Sequence, residues 1–99
     1  MLHTVNKSPS ERNALDTCLR HATPGDAILL IEDGVYAALR DSHCTPLLQE
    51  ALQSLRVYAL RPDVEARGIG NKLLEGIVLV DYGGFVDLTL EHSPVMAWL

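Results

Sequence analysis

The chain has 99 residues, 47% of them hydrophobic and 21% charged, a composition typical of one globular domain, predicted to span residues 1–99. Its formal charge of −5 argues against direct binding to nucleic acid. The first residues lack a signal-peptide pattern and the apolar runs are too short to cross a bilayer, so we expect a cytoplasmic protein without membrane contact.

The start of the chain predicts a strand followed by a helix. Residues 2–6, LHTVN, alternate in hydrophobicity and favour a strand. The stretch SPSE then predicts a capping box, with Ser8 as N-cap and Pro9 at the first helical position. The helix is predicted to extend to about Ala22, with an apolar face that includes Cys18.

Strands and helices continue to alternate after this helix. Residues 27–31 form an apolar run typical of a strand buried on both faces, and a turn at 32–34 leads into a short helix. Thr45 is predicted to cap the next helix, with Pro46 at its first position. The later segments predict a strand, a short helix, a strand, a helix and a strand, namely RVYAL, RPDVEARG, IVLV, DYGGFVDLTLEH and VMAWL. This alternation predicts a single three-layer α/β/α domain, with a mostly parallel sheet of about five strands.

Cys18 is the first candidate for chemistry. Its place on the apolar face of the first helix predicts a buried core residue, because free cysteine is among the most buried residue types. The last turns of a helix also disfavour a thiolate, although a protonated His21 on the same surface would favour one. Any activation of this thiol would have to come from elsewhere in the fold or from a partner.

Cys44 has the more favourable local setting for a reactive thiol. It follows His43 in a polar loop and precedes a predicted helix, where exposure and the helix dipole both favour a thiolate. The alternative is an incidental loop cysteine. In a cytoplasmic protein both cysteines are expected to be free thiols.

The other polar residues do not indicate a more specific functional site than the two cysteines. Glu32 and Asp33 follow a predicted strand at the sheet edge where open α/β sheets place ligands, but they also suit a simple turn. The stretch NKSPS loosely resembles the phosphate loop of flavin-binding proteins, with the capping box as the alternative explanation. The four histidines fall in separate elements without metal-ligand spacing, so we expect neither a metal nor a cofactor.

The order of several short motifs resembles the DsrH/TusB family of sulfur-relay proteins. The motifs follow one another over nearly the whole chain, as MLHTVNKSP, LLIEDGVYAAL, VYAL.PD..ARG, VDYGGFVDLT and MAWL. The resemblance implies a small α/β/α subunit of the DsrE/F/H-like, flavodoxin-like class. It also implies assembly with DsrE/TusD-like and DsrF/TusC-like subunits into a heterohexamer.

Such complexes pass sulfur as cysteine persulfides between carriers such as the DsrC/TusE-like and TusA-like proteins. One branch, DsrEFH, serves sulfur oxidation, and the other, TusBCD, serves 2-thiolation of the wobble uridine in tRNA. The resemblance places the principal relay cysteine on the DsrE/TusD-like subunit and not on this chain.

The stretch around Cys18, LDTCLRHA, resembles the first helix of DsrH-type chains. The stretches NKSPSERN and GGFVDL also resemble DsrH-type chains more than TusB-type chains. We therefore expect a subunit of the sulfur-oxidation branch, with the tRNA-thiolation branch as the alternative. The resemblance implies that Cys18 is a persulfide carrier or docking thiol. The rival interpretation is that the chain is a non-catalytic scaffold subunit. Cys44 has no counterpart in the family pattern.

Overall fold

A computed structural model describes residues 1–11 and 13–99, and within these ranges five parallel strands form one sheet in the order β4-β3-β2-β1-β5. The strands are β1 (Leu2–Val5), β2 (Ala27–Leu30), β3 (Arg56–Leu60), β4 (Val78–Val80) and β5 (Val95–Trp98). The helices are α1 (Ala14–His21), a 3₁₀ helix (Glu32–Ala38), α2 (Thr45–Ala51), α3 (Arg61–Ala66) and α4 (Tyr82–Glu91). The predicted α/β/α class is confirmed. The strand order differs from the 2-1-3-4-5 order of flavodoxin, so the likeness to flavodoxin is limited to the layers.

Right-handed crossovers explain which face of the sheet each helix covers. The chain steps from β1 to β2, β3 and β4 in one direction, so each connecting helix lies on the same face. The step from β4 to β5 returns past β1 to the opposite edge, which places α4 on the other face. We call the face under α1, the 3₁₀ helix, α2 and α3 the first face, and the face under α4 the second face.

The first face holds the larger core. Its buried residues from the strands include Val5, Ile28, Leu30 and Val57, and those from the helices include Leu15, Cys18, Val35, Leu48 and Val64. The second face has a smaller buried cluster, formed by Leu2, Ala27, Leu29 and Leu88. All four residues of β2 are buried, which confirms the strand predicted from its unbroken apolar run. No helix in the described ranges is long and apolar enough to cross a membrane.

The predicted start of the first helix is wrong. The hydroxyl of Ser8 lies 2.9 Å from the hydroxyl of Ser10 and accepts a hydrogen bond from the Ser10 N–H, so it closes a local turn and does not cap a helix. Helix α1 begins at Ala14, with Asn13 in the N-cap position. Arg12, which the prediction placed inside this helix, lies outside the described residues.

The predicted cap of the next helix is also wrong. Thr45 is the first residue of α2 and Cys44 occupies the N-cap position. The Thr45 hydroxyl lies 3.1 Å from the carbonyl oxygens of both Leu39 and Arg40, and it accepts a hydrogen bond from the Ser42 N–H. These bonds draw the loop before α2 inward against the 3₁₀ helix.

Gly34 makes a close backbone contact that positions the 3₁₀ helix against the sheet. A Cβ atom at Gly34 would overlap the carbonyl oxygen of Val5 at the end of β1. We therefore expect Gly34→Ala to lower the free energy of unfolding by roughly 1–3 kcal/mol or more, because the backbone must shift. The measurement is urea unfolding followed by circular dichroism.

Gly70→Ala is the matched control, since the nearest heavy atom to its added Cβ is Val64 Cγ1 at 3.9 Å. This variant should stay within about 0.5 kcal/mol of the parent or be slightly stabilised. Equal destabilisation by the two substitutions would contradict the proposed role of the Gly34 contact.

Candidate functional site

Cys18 lies between α1 and the first face of the sheet and has no solvent-exposed surface. Burial, with a smaller contribution from the negative charge of Asp26, raises the pKa of the Cys18 thiol to about 12. The thiol is therefore protonated throughout the physiological range. The position predicted from helix periodicity is confirmed, and the buried environment agrees with the unreactive alternative.

Cys44 is not the exposed loop thiol that its sequence setting predicted. Only 4% of its surface is accessible, and it belongs to the same apolar cluster as Cys18. Burial, with a smaller contribution from Asp16 on α1, raises the pKa of the Cys44 thiol. The expectation failed because the polar residues beside Cys44 are exposed or bond to the backbone, and so leave the cysteine itself buried. The hydrogen bonds of the Thr45 hydroxyl, which hold this loop against the end of the 3₁₀ helix, could not be predicted from the sequence.

A buried hydrogen-bond network near Cys18 connects β1 and β5 with Asp26, the residue that precedes β2. His3 is 1% exposed, and its Nε2 lies 2.9 Å from the carboxylate of Asp26. The indole N–H of Trp98 donates to His3 Nδ1 over 3.0 Å. Because an indole N–H only donates, we assign the proton of neutral His3 to Nε2, which donates to Asp26.

Asp26 is the charged member of this network. It accepts hydrogen bonds from the backbone N–H of Thr23 and from the terminal amino group of Met1, in addition to His3. The Thr23 bond above all, with those from His3 and the amino group, holds the pKa of the Asp26 carboxyl well below its usual range. The resulting permanent negative charge opposes formation of a thiolate at Cys18.

His21 does not activate Cys18 as the sequence allowed. Its Nδ1 donates to the carbonyl of Thr17 at 2.9 Å, and its ring packs against Trp98 with centroids 5.2 Å apart. This arrangement could not be predicted from the sequence, because it depends on β5 lying beside β1. In the part of the chain that the structure describes, no group of three or more His, Cys, Asp or Glu residues is placed to hold a metal ion.

Asp33 and the backbone N–H of Glu32 take part in a cluster of ion pairs and hydrogen bonds at the carboxyl edge of the sheet. Arg67 donates from Nε and Nη2 to the Asp33 carboxylate, at 3.1 and 2.8 Å. The backbone N–H of Glu32 donates to Asp63 at 2.7 Å. These bonds attach α3 to the 3₁₀ helix, so Asp33 has a structural role here, while Glu32 contributes through its backbone N–H.

Comparisons with known proteins agree with this fold. Residues 7–95 match the family model described as "DsrH like protein". Protein TusB of Pectobacterium parmentieri is 43% identical over 99 residues, and that of Shigella flexneri is 42% identical over 100; each alignment covers 99% of this chain and 100% of the relative.

Two solved structures share the fold. MTH1491 of Methanobacterium thermoautotrophicum has a TM-score of 0.76 at 23% identity, over 97% of this chain and 95% of that one. The ychN protein of E. coli has a TM-score of 0.77 at 20% identity, over 97% of both chains.

The burial of both cysteines predicts slow reaction with a water-soluble aromatic disulfide in the native chain. A pKa of about 12 for Cys18 in place of 9.0 lowers its thiolate population roughly a thousandfold near pH 8. We expect native labelling to be at least about a hundredfold slower than labelling in urea, as measured by the absorbance of the released thiolate.

The single-thiol variants Cys18→Ala and Cys44→Ala assign the two rates separately. Alanine is preferred over serine because a buried hydroxyl without a partner would destabilise the core. Rapid native labelling of the thiol in Cys44→Ala would contradict the sealed environment of Cys18.

Proposed function

The chain belongs to the DsrH/TusB family and is a subunit of a sulfur relay, and from that premise we propose that it works as a TusB-type subunit in 2-thiolation of the tRNA wobble uridine. The support is the 42–44% identity to proteins named TusB, which extends over 99% of the chain. The expectation of the sulfur-oxidation branch rested largely on one helix and two short motifs. The full-length relatives favour the alternative branch over that expectation.

The buried thiols support a structural role for this subunit within the relay. Sulfane transfer begins when a thiolate attacks the outer sulfur of a cysteine persulfide, so a new S–S bond forms as the old one breaks and the donor leaves as a thiolate. At a pKa of about 12, roughly one Cys18 thiol in 10⁵ is ionised at neutral pH. The function proposed for the isolated fold is therefore assembly, with sulfur carried by a cysteine of the partner.

The expected partners follow from this proposal. The DsrE/TusD-like subunit supplies the principal relay cysteine, and the DsrF/TusC-like subunit completes the heterohexamer. TusA-like and DsrC/TusE-like carriers deliver and remove sulfur. The complex works in the cytoplasm, and tRNA is contacted by a downstream protein, in keeping with the formal charge of −5 on this chain.

A second candidate role keeps Cys18 in the chemistry. It is favoured by the LDTCLRHA stretch of α1, which resembles the corresponding helix of DsrH-type chains. In this role Cys18 is a persulfide carrier or docking thiol, and α1 must separate from the first face when the hexamer or a carrier binds. The cost of that opening includes exposure of the apolar residues beside Cys18, such as Leu15.

The two roles are separated by restoring tRNA thiolation in a bacterial strain that lacks its own TusB. We expect the parent chain and Cys18→Ala to restore 2-thiouridine equally, within about twofold, because a buried protonated thiol carries no sulfur. The readout is the fraction of thiolated wobble uridine in purified tRNA.

Cys44→Ala is the matched control, because it also removes a buried thiol from the same cluster. Failure of the parent chain to restore thiolation, although it co-purifies with the host subunits, would refute the tRNA branch. Loss of thiolation with Cys18→Ala alone, together with the added mass of one sulfur atom on Cys18 in the parent complex, would establish the relay role instead.

A further inference from the structure

The outward surface of α4 is unusually apolar for a helix at the surface of a protein. The helix covers the second face with Leu88, which is buried, and Phe85, which is partly buried. On its outer side Tyr82, Val86 and Leu90 are 62%, 57% and 76% exposed. They are spaced four residues apart and therefore form one stripe along the helix.

An acidic row runs beside this stripe. Asp87 and Glu91 are both exposed and also lie four residues apart, so their carboxylates align next to Val86 and Leu90 on one side. Basic residues are absent from α4 apart from the C-cap His92. We call the three stripe residues and these two acids the α4 surface.

The apolar area extends from α4 onto the sheet. Val78 of β4 pairs with Tyr58, and Val95 of β5 pairs with Leu2, whose side chains belong to or pack against the cluster under α4. Both valines therefore lie on the second face, at its two edges, and they are 51% and 47% exposed. A thin helical layer with exposed apolar residues on it and beside it is typical of a surface that another protein covers.

The charges of the α4 surface indicate whether a second copy of this chain or a different protein binds there. In an antiparallel two-fold pairing of α4 with its copy, the rows of Asp87 and Glu91 would meet on the same side and repel. The formal charge of −5 on each chain adds to that repulsion. A different chain, with an apolar groove bordered on one side by lysine or arginine, would match both the stripe and the acidic row.

We propose that the α4 surface is where another subunit of the relay complex docks, through such a groove with a basic border. This inference rests on the proposed function, because it assumes that the chain is part of a hetero-oligomer. It adds the face that is used and the chemistry of the partner surface. Docking there leaves α1, and with it Cys18, on the opposite side of the sheet from the partner.

The test titrates the purified chain into the co-purified DsrE/TusD-like and DsrF/TusC-like subunits and measures Kd. We expect Leu90→Asp to weaken binding at least about tenfold, because it places a charge in an apolar contact. Leu99→Asp is the matched control, since Leu99 is 77% exposed but lies beyond the end of β5. It should bind within about twofold of the parent.

A charge reversal tests the basic border. Asp87→Lys with Glu91→Lys should also weaken binding about tenfold and reverse its salt dependence, so that added salt strengthens the binding of this variant by screening the repulsion from the basic border. Glu50→Lys with Glu65→Lys, on α2 and α3, should have neither effect. The proposal is overturned if Leu90→Asp binds like the parent, if Leu99→Asp is equally damaging, or if the two charge reversals act alike. It is also overturned if the chain alone forms a dimer that Leu90→Asp dissociates. Failure of the parent to bind either subunit would instead refute the proposed function, and this inference with it.

Discussion

The handedness of the crossovers is the constraint on which the rest of this structure depends. Because the chain steps in one direction from β1 to β4 and then returns to the far edge, right-handed connections place α4 alone, among the described helices, on the second face. The first face receives a thick helical layer and a large core. The same topology therefore produces one well-covered face and one thinly covered face with exposed apolar residues.

The two faces have different consequences for function. Cys18 and Cys44 lie in the core of the thick side, where desolvation keeps both thiols protonated. The network of His3, Asp26 and Trp98 joins β1 and β5 to the residue before β2 and adds a fixed negative charge near Cys18. Chemistry at a thiol is thus suppressed on one side, while the α4 surface on the other side provides an area suited to a partner.

Much of the fold could be predicted from the sequence because its signals are local. The apolar run of β2 and the glycine-containing junctions after the strands gave the α/β class without long-range information. The start of α1 and the burial of Cys44 could not be predicted in this way. In both places a hydroxyl group predicted to cap a helix bonds elsewhere. The Ser8 hydroxyl accepts from the Ser10 N–H in a local turn, and the Thr45 hydroxyl donates to a carbonyl at the end of the 3₁₀ helix. Strand order, and therefore the contact of His3 with Trp98, depends on pairing across 95 residues of chain.

Hydrogen–deuterium exchange of the chain, alone and in the reconstituted relay complex, tests the central claim that α4 docks while α1 stays closed. We expect slower exchange in peptides covering Tyr82–Glu91 on assembly, and unchanged exchange in peptides covering Ala14–His21. Faster exchange in the α1 peptides, with no protection of α4, would contradict it and would indicate that assembly opens the helix that carries Cys18.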